Sequence, residues 1–173
     1  MINASDLTDN ISSNIGYTGT IIRKSCFQNR ERHSADMNDI KYKIVNFKEY
    51  GDERGNLVVA EGGGIDIPFD IQRVFYIYGS DSTVVRGRHA NRISEFVLIN
   101  IAGESDVLVD DGVHREVIHL NKPRMGLYLA PMVWKEMFNF SPDSVLLCLS
   151  SEHYNEQEYI RDYSEFAREI SRA

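Results

Sequence analysis

The stretch Ser105-Asp106-Val107-Leu108-Val109-Asp110-Asp111-Gly112-Val113-His114-Arg115-Glu116-Val117-Ile118-His119-Leu120 sets two β-prone runs on either side of an Asp-Gly pair. Glycine tolerates positive φ, so Asp111-Gly112 between residues 105–110 and 113–120 favours a two-residue hairpin turn joining antiparallel strands. Working outward, further short apolar or alternating runs occupy residues 43–47, 57–61, 73–78, 96–101, 126–130, 135–140 and 145–149, separated by turn residues. Many short strands without intervening helices of ten or more residues point to a sandwich or barrel, not to a βαβ sheet. Helical periodicity enters only near the end. There Tyr159, Ile160, Tyr163, Phe166 and Ile170 recur at steps of three or four, giving a helix one face to pack on the barrel.

The bulk properties narrow the functions. With 173 residues and 42% hydrophobic content, one domain with a real core is expected. The formal net charge of −7 argues against a partner that is nucleic acid or an anionic membrane, which needs a clustered basic surface. Cys26 and Cys148 are far apart and fit no metal or redox spacing, so two reduced thiols are expected. No apolar run approaches the ~18 residues of a membrane span, and no basic start with an apolar stretch marks a signal peptide, so the expected location is cytoplasmic. Residues 1–36 are polar and aperiodic and are expected to form an N-terminal extension to a domain spanning 37–173.

The chemistry concentrates in Val85-Arg86-Gly87-Arg88-His89-Ala90-Asn91-Arg92. On a strand, His89 and Asn91 project from the same face, and the arginines suit phosphate oxygens, which a guanidinium can bond in bidentate fashion. Arg54, in the turn Asp52-Glu53-Arg54-Gly55-Asn56, is placed to reach a pocket mouth. In Arg73-Val74-Phe75-Tyr76-Ile77-Tyr78 the alternation puts Tyr76 and Tyr78 on one face, where a phenol facing inward would be available to move protons. Trp134 is either core or a flat wall for a sugar or base. A metal site is not expected: His89 is the one imidazole of the group, Asn91 and Glu95 follow it, and the later segment 131–136 offers Lys135 and Glu136.

Taken together, Asp52–Gly55, Pro68-Phe69, Arg73–Tyr78, Arg86-Gly87-x-His89-Ala90, Asp110-Asp111-Gly112, Gly126-Leu127, Pro131-x-x-Trp134-x-Glu136-Met137, Phe140-Ser141-Pro142-Asp143 and Tyr159-Ile160-Arg161-Asp162-Tyr163 resemble the sugar-nucleotide 3,4-ketoisomerases. The resemblance runs from about Tyr42 to Phe166 in constant order. It implies an all-β cupin jelly roll with a C-terminal helix, a homodimer, no cofactor and no metal. It also implies a dTDP-linked 4-keto-6-deoxyhexose as substrate and its 3-keto isomer as product, made by acid–base proton transfer through an enediol for surface-polysaccharide sugars.

By the same resemblance His89, Tyr76 and Asn91 are the candidate catalytic residues, and Arg54, Arg73, Arg86, Lys135 and Glu136 the candidate substrate contacts. Asn56 and Lys135 stand near positions that influence product stereochemistry in the family. Asn91 departs from the pattern, because it stands where the second imidazole of the family's His-Ala-His pair is expected, and an amide cannot accept and return a proton at neutral pH. Three readings stay open: His89 works alone, Tyr76 or Glu136 compensates, or sugar-nucleotide binding persists without isomerisation. A related cupin epimerase is a further alternative.

Overall fold

The computed structural model describes residues 41–172; the polar extension expected at 1–36, with Cys26 in it, lies outside the described residues. Twelve strands are described: β1 (Tyr42–Asn46), β2 (Glu49–Asp52), β3 (Gly55–Val58), β4 (Arg73–Tyr78), β5 (Arg86–Asn91), β6 (Phe96–Ala102), β7 (Ser105–Asp110), β8 (Arg115–Leu120), β9 (Met125–Leu129), β10 (Trp134–Phe138), β11 (Val145–Ser150) and β12 (Tyr159–Ile160). One helix, α1 (Tyr163–Ile170), follows.

Two five-stranded sheets in the orders β1-β9-β6-β11-β4 and β12-β5-β10-β7-β8 are antiparallel at every pairing, and β2 and β3 form a separate hairpin. The two sheets enclose Leu98, Val107, Val109, Leu120, Leu127, Met137, Leu146 and Cys148, contributed alternately by strands of both. This is the expected all-β cupin jelly roll with a C-terminal helix. Period-two patterning produces it, since each strand sends alternate residues into the interior.

The outer face of the first sheet carries a second core of Val45, Phe47, Val97, Ile99 and Leu149, covered by Ile67 and Phe69 from the long loop before β4. On the outer face of the second sheet, Phe166 of α1 packs with Ala90, Trp134 and Ile160. Trp134 is therefore helix-facing core and not a ligand wall: its ring lies 5.8 Å from Phe166 and 5.2 Å from Tyr163, and its indole N–H donates to Glu136 at 3.0 Å.

Two local expectations are corrected. The hairpin at Asp111-Gly112 is a four-residue loop, because Asp110 pairs with Arg115 and residues 111–114 lie outside the ladder. The Asp111 carboxylate accepts from the N–H groups of Val113 and His114 at 2.9 and 2.7 Å, an Asx arrangement that satisfies the longer loop. The helix begins at Tyr163, four residues later than the periodicity allows. Asp162 caps it by accepting from Glu165 N–H, and a capping residue must be extended, so Tyr159 and Ile160 are free to pair with Asn91 and Ala90 of β5.

Candidate active site

The residues that matter are aimed by a bulge. On β5, His89 pairs with Lys135 of β10 and Gly87 pairs with Glu136, so the register slips and Arg88 is the extra residue. Gly87 has φ +84° and Arg88 +54°, and a Cβ at Gly87 would lie 2.7 Å from the Lys135 carbonyl oxygen. Only glycine allows the two strands to approach there. Beyond the bulge the alternation resumes, with Ala90 under the helix and His89 and Asn91 turned between the sheets, as the sequence reading expects.

Lys135 is turned the same way. Its side chain is buried, 4% exposed as a residue, and Nζ donates to Asn91 Oδ1 at 2.6 Å. The ammonium sits 4.5 Å from the centroid of Phe96, which meets Phe75 edge-on at 6.5 Å, and Phe75 in turn lies 5.2 Å from the guanidinium of Arg73. Arg73 also reaches Ser150 Oγ at 3.4 Å and faces the Tyr154 ring at 5.6 Å. At the other side of the cluster, His89 stacks against Tyr159 at 4.8 Å, Tyr159 meets Tyr154 at 5.6 Å, and the Arg161 guanidinium lies 4.8 Å from the Tyr159 ring. Aromatic rings thus join His89, Lys135, Arg73 and Arg161 into one cluster.

The electrostatics follow from burial. Desolvation, reinforced by the Lys135 charge and by Arg161, holds the His89 imidazole down at about 4, while the Gly87 carbonyl works the other way. Desolvation likewise lowers the Lys135 ammonium to about 7, with Arg73 adding to it and Cys148 and Glu158 opposing it. Burial pushes the Cys148 thiol up to about 12. At neutral pH the imidazole is neutral and the amine is poised between its two forms.

Among the described residues, three buried side-chain atoms have no hydrogen-bond partner: Arg73 Nε, His89 Nδ1 and Asn91 Nδ2. All three belong to this cluster, and unpaired buried polar atoms are expensive unless they serve a ligand. Surface depressions beside α1, at Lys41–Tyr42 and on the β2–β3 hairpin share no residue with it. The cluster is therefore the candidate site, since the buried polar atoms without partners belong to it.

The remaining candidates are placed elsewhere. Tyr76 is corrected: Arg73, Phe75 and Ile77 face the interior, so Tyr76 lies on the outer face of the first sheet, 61% exposed and 5.8 Å from Tyr78. Glu136 points away from the interior as well, held by the Trp134 indole and facing Arg88 at 3.9 Å. Arg54 sits at the tip of the β2–β3 hairpin, ion-paired with Asp52 of its own turn, and is not brought to His89 within the chain. Arg86 is exposed and donates from Nε to Ser80 Oγ at 2.9 Å. Conversely, Tyr154, Tyr159 and Arg161 join the cluster without having been picked out. Tyr159 and Arg161 stand in the segment 159–163, where helical spacing assigned Tyr159 to packing.

Among the described residues no group of three or more His, Cys, Asp or Glu side chains is arranged to hold a metal. One imidazole beside an ammonium is a poor donor set, and the residues present do not fit a metal ion.

The fold is that of a cupin, and its interior holds an imidazole beside an amine. Residues 40–171 match the family model WxcM-like, C-terminal (FdtA). The chain is 42% identical over 130 residues to the TDP-4-oxo-6-deoxy-alpha-D-glucose-3,4-oxoisomerase of Aneurinibacillus thermoaerophilus, a match covering 75% of this chain and 93% of that protein. It superposes on a 3,4-ketoisomerase from Helicobacter canadensis with TM-score 0.73 and 43% identity, covering 76% of this chain and 98% of the other. A histidine-to-asparagine mutant of the 3,4-ketoisomerase QdtA from Thermoanaerobacterium thermosaccharolyticum, in complex with TDP-4-keto-6-deoxyglucose, superposes with TM-score 0.73 and 39% identity, covering 76% and 95%. The chain belongs to the WxcM-like family of cupin 3,4-ketoisomerases.

Proposed function

We propose that the protein is a 3,4-ketoisomerase acting on a dTDP-linked 4-keto-6-deoxyhexose and yielding the 3-keto isomer for surface-polysaccharide sugars. The observation that carries the reading is the interior pairing of His89 with Lys135, in a cluster whose Arg73 Nε, His89 Nδ1 and Asn91 Nδ2 are buried without partners among the described residues. A neutral imidazole can take the proton at C3, which the adjacent 4-keto group acidifies, and return it to solvent. A cationic interior stabilises the enediolate oxygen that forms. Arg73 and Arg161, on either side of Tyr154 and Tyr159, suit a pyrophosphate with a flat base beside it. Asn91 Nδ2 is available to a sugar hydroxyl.

Homodimerisation goes with this reading. β4 is an edge strand among those described, and Val74, Tyr76 and Tyr78 expose apolar surface on one face of it. Light scattering reporting a monomer at micromolar concentration argues against it. A cytoplasmic location also goes with a nucleotide-linked substrate, and among the described residues no helix is long and apolar enough to cross a membrane.

The test is incubation with dTDP-4-keto-6-deoxyglucose in deuterium oxide while NMR follows C3 and C4. Loss of the C3 proton signal with appearance of the 3-keto isomer supports the reading. Tight dTDP binding with neither change replaces it with a sugar-nucleotide-binding protein.

A further inference from the structure

We propose that Lys135 is the second proton-transfer group of this site, giving C4 of the keto-sugar the proton that completes the isomerisation His89 begins at C3. The proposal rests on the ketoisomerase reading and says which residue takes over where Asn91 replaces an imidazole.

Position and acidity together eliminate the other proton-bearing groups. Asn91 cannot transfer protons, and Tyr76 and Glu136 face away from the interior. The charged or titratable groups that influence Lys135 are His89 on β5, Arg73 on β4, Cys148 on β11 and Glu158 in the 3-10 turn Glu156–Glu158. Arg73 does not release protons at accessible pH. Glu158 is engaged by the Ser94 hydroxyl, by Ser94 N–H at 2.9 Å and by Ile93 N–H at 3.4 Å. Cys148 holds its proton far too firmly to pass it on at neutral pH. Lys135 is left.

The amine is also presented correctly. One N–H goes to Asn91 Oδ1, the charge faces the Phe96 ring, and no second acceptor is found among the described residues. An ammonium has three N–H bonds, so donors remain for a ligand. Two neighbouring groups whose environments keep one neutral and the other near half-protonation divide the roles of base and acid between them.

The proton balance closes without an oxidant. His89 takes the C3 proton, the C3–H electrons form the C3=C4 bond, and the C4 carbonyl pair moves onto O4. The proton on O3 passes to O4. Lys135 then gives one proton to C4, the double-bond pair becomes the C4–H bond, and the O3 lone pair closes the new C3 carbonyl. Oxidation at C3 equals reduction at C4, and the proton on His89 returns to Lys135 directly or through solvent.

The experiment compares wild type with Lys135→Met and Lys135→Arg, reading C3 proton exchange into deuterium oxide separately from 3-keto product. In both variants dTDP should still bind; C3 exchange should continue in Lys135→Arg, which keeps the charge, while product formation falls in both on the order of 10²–10³-fold, within the range of a positioned acid–base group. Wild-type turnover should fall as pH rises through about 7, and in Lys135→Arg that limb should disappear. Product formation within threefold of wild type in Lys135→Met, or a wild-type rate flat from pH 6 to 9, overturns the proposal. So does a borohydride-trapped sugar adduct on Lys135, which would make it a nucleophile. The pH profile of wild type decides the matter even where a variant folds poorly. A wild-type protein that binds dTDP yet neither exchanges C3 nor forms product removes the ketoisomerase reading itself, a different result from exchange without product.

Discussion

Lys135 Nζ donates to Asn91 Oδ1 at 2.6 Å between neighbouring strands β10 and β5, with 4% and 2% of the two residues exposed. The partner of this buried ammonium is thus a neutral amide and not a carboxylate, so its desolvation is only partly offset and the proton is held loosely. The buried lysine and the amide that accepts from it are two halves of one arrangement.

That arrangement is tested by Asn91→Asp, which keeps the shape and adds a charge. A carboxylate beside the amine favours the ammonium, so the alkaline limb of turnover should move upward from about 7 by at least one pH unit. A pH–rate profile measures it, and an unmoved limb would mean that Lys135 does not set it.

Burying Lys135 costs stability, with a definite pH dependence. The folded chain releases the proton near 7 and the unfolded chain near 10.5, so between these values the unfolded state binds more protons and stability rises with pH. Below pH 7 the cost is fully present. Lys135→Met should therefore stabilise the fold at pH 6.5, by about 2 kcal/mol after leaving Asn91 Oδ1 unpaired, and the gain should fade towards pH 10. Urea unfolding at both pH values measures this; a gain that is the same at each would count against it.

Replacing Arg73 or Arg161 with Ala should weaken dTDP binding about 5- to 150-fold each, the range for losing a charge-assisted hydrogen bond of 1–3 kcal/mol. Calorimetry with dTDP alone reads the effect. Unchanged affinity in both variants would move the phosphates away from the Tyr154–Tyr159 pair.

Phe166 is the fully buried anchor of α1, packed on Trp134 from behind the second sheet. Phe166→Ala should cost about 3–4 kcal/mol in unfolding free energy, the lost burial of the ring plus the cavity it leaves. Arg92, whose guanidinium bonds Glu165 at 2.8 Å and Glu169 at 2.6 Å, ties the same helix to the end of β5. Its partial exposure keeps Arg92→Ala to about 1 kcal/mol. If the two losses were equal, the ion pairs and not the apolar contact would anchor the helix.

Exhaustive dialysis against a strong chelator should leave folding and turnover unchanged, since the interior offers one imidazole and an ammonium that would repel a cation. Activity lost on dialysis and restored by one divalent ion would contradict this.

The sequence by itself determined the β architecture, the common face of His89 and Asn91, and the family, because strand alternation and turn residues are local properties and the ordered motifs span the domain. Even locally, competing hydrogen bonds escaped it. The Asx loop at Asp111 lengthened the hairpin, and the Asp162 cap turned Tyr159 and Ile160 from helix into strand. Only the tertiary structure decided which candidates meet. Residues of one strand share a face by period two, but which face is interior depends on the opposing sheet, so Tyr76 went outward while Arg73 went in. Lys135 and Asn91 are 44 residues apart, and nothing local couples them. The bulge at Gly87 sets their register, and the burial that lowers the Lys135 ammonium exists only once both sheets and the 3-10 turn have closed around it.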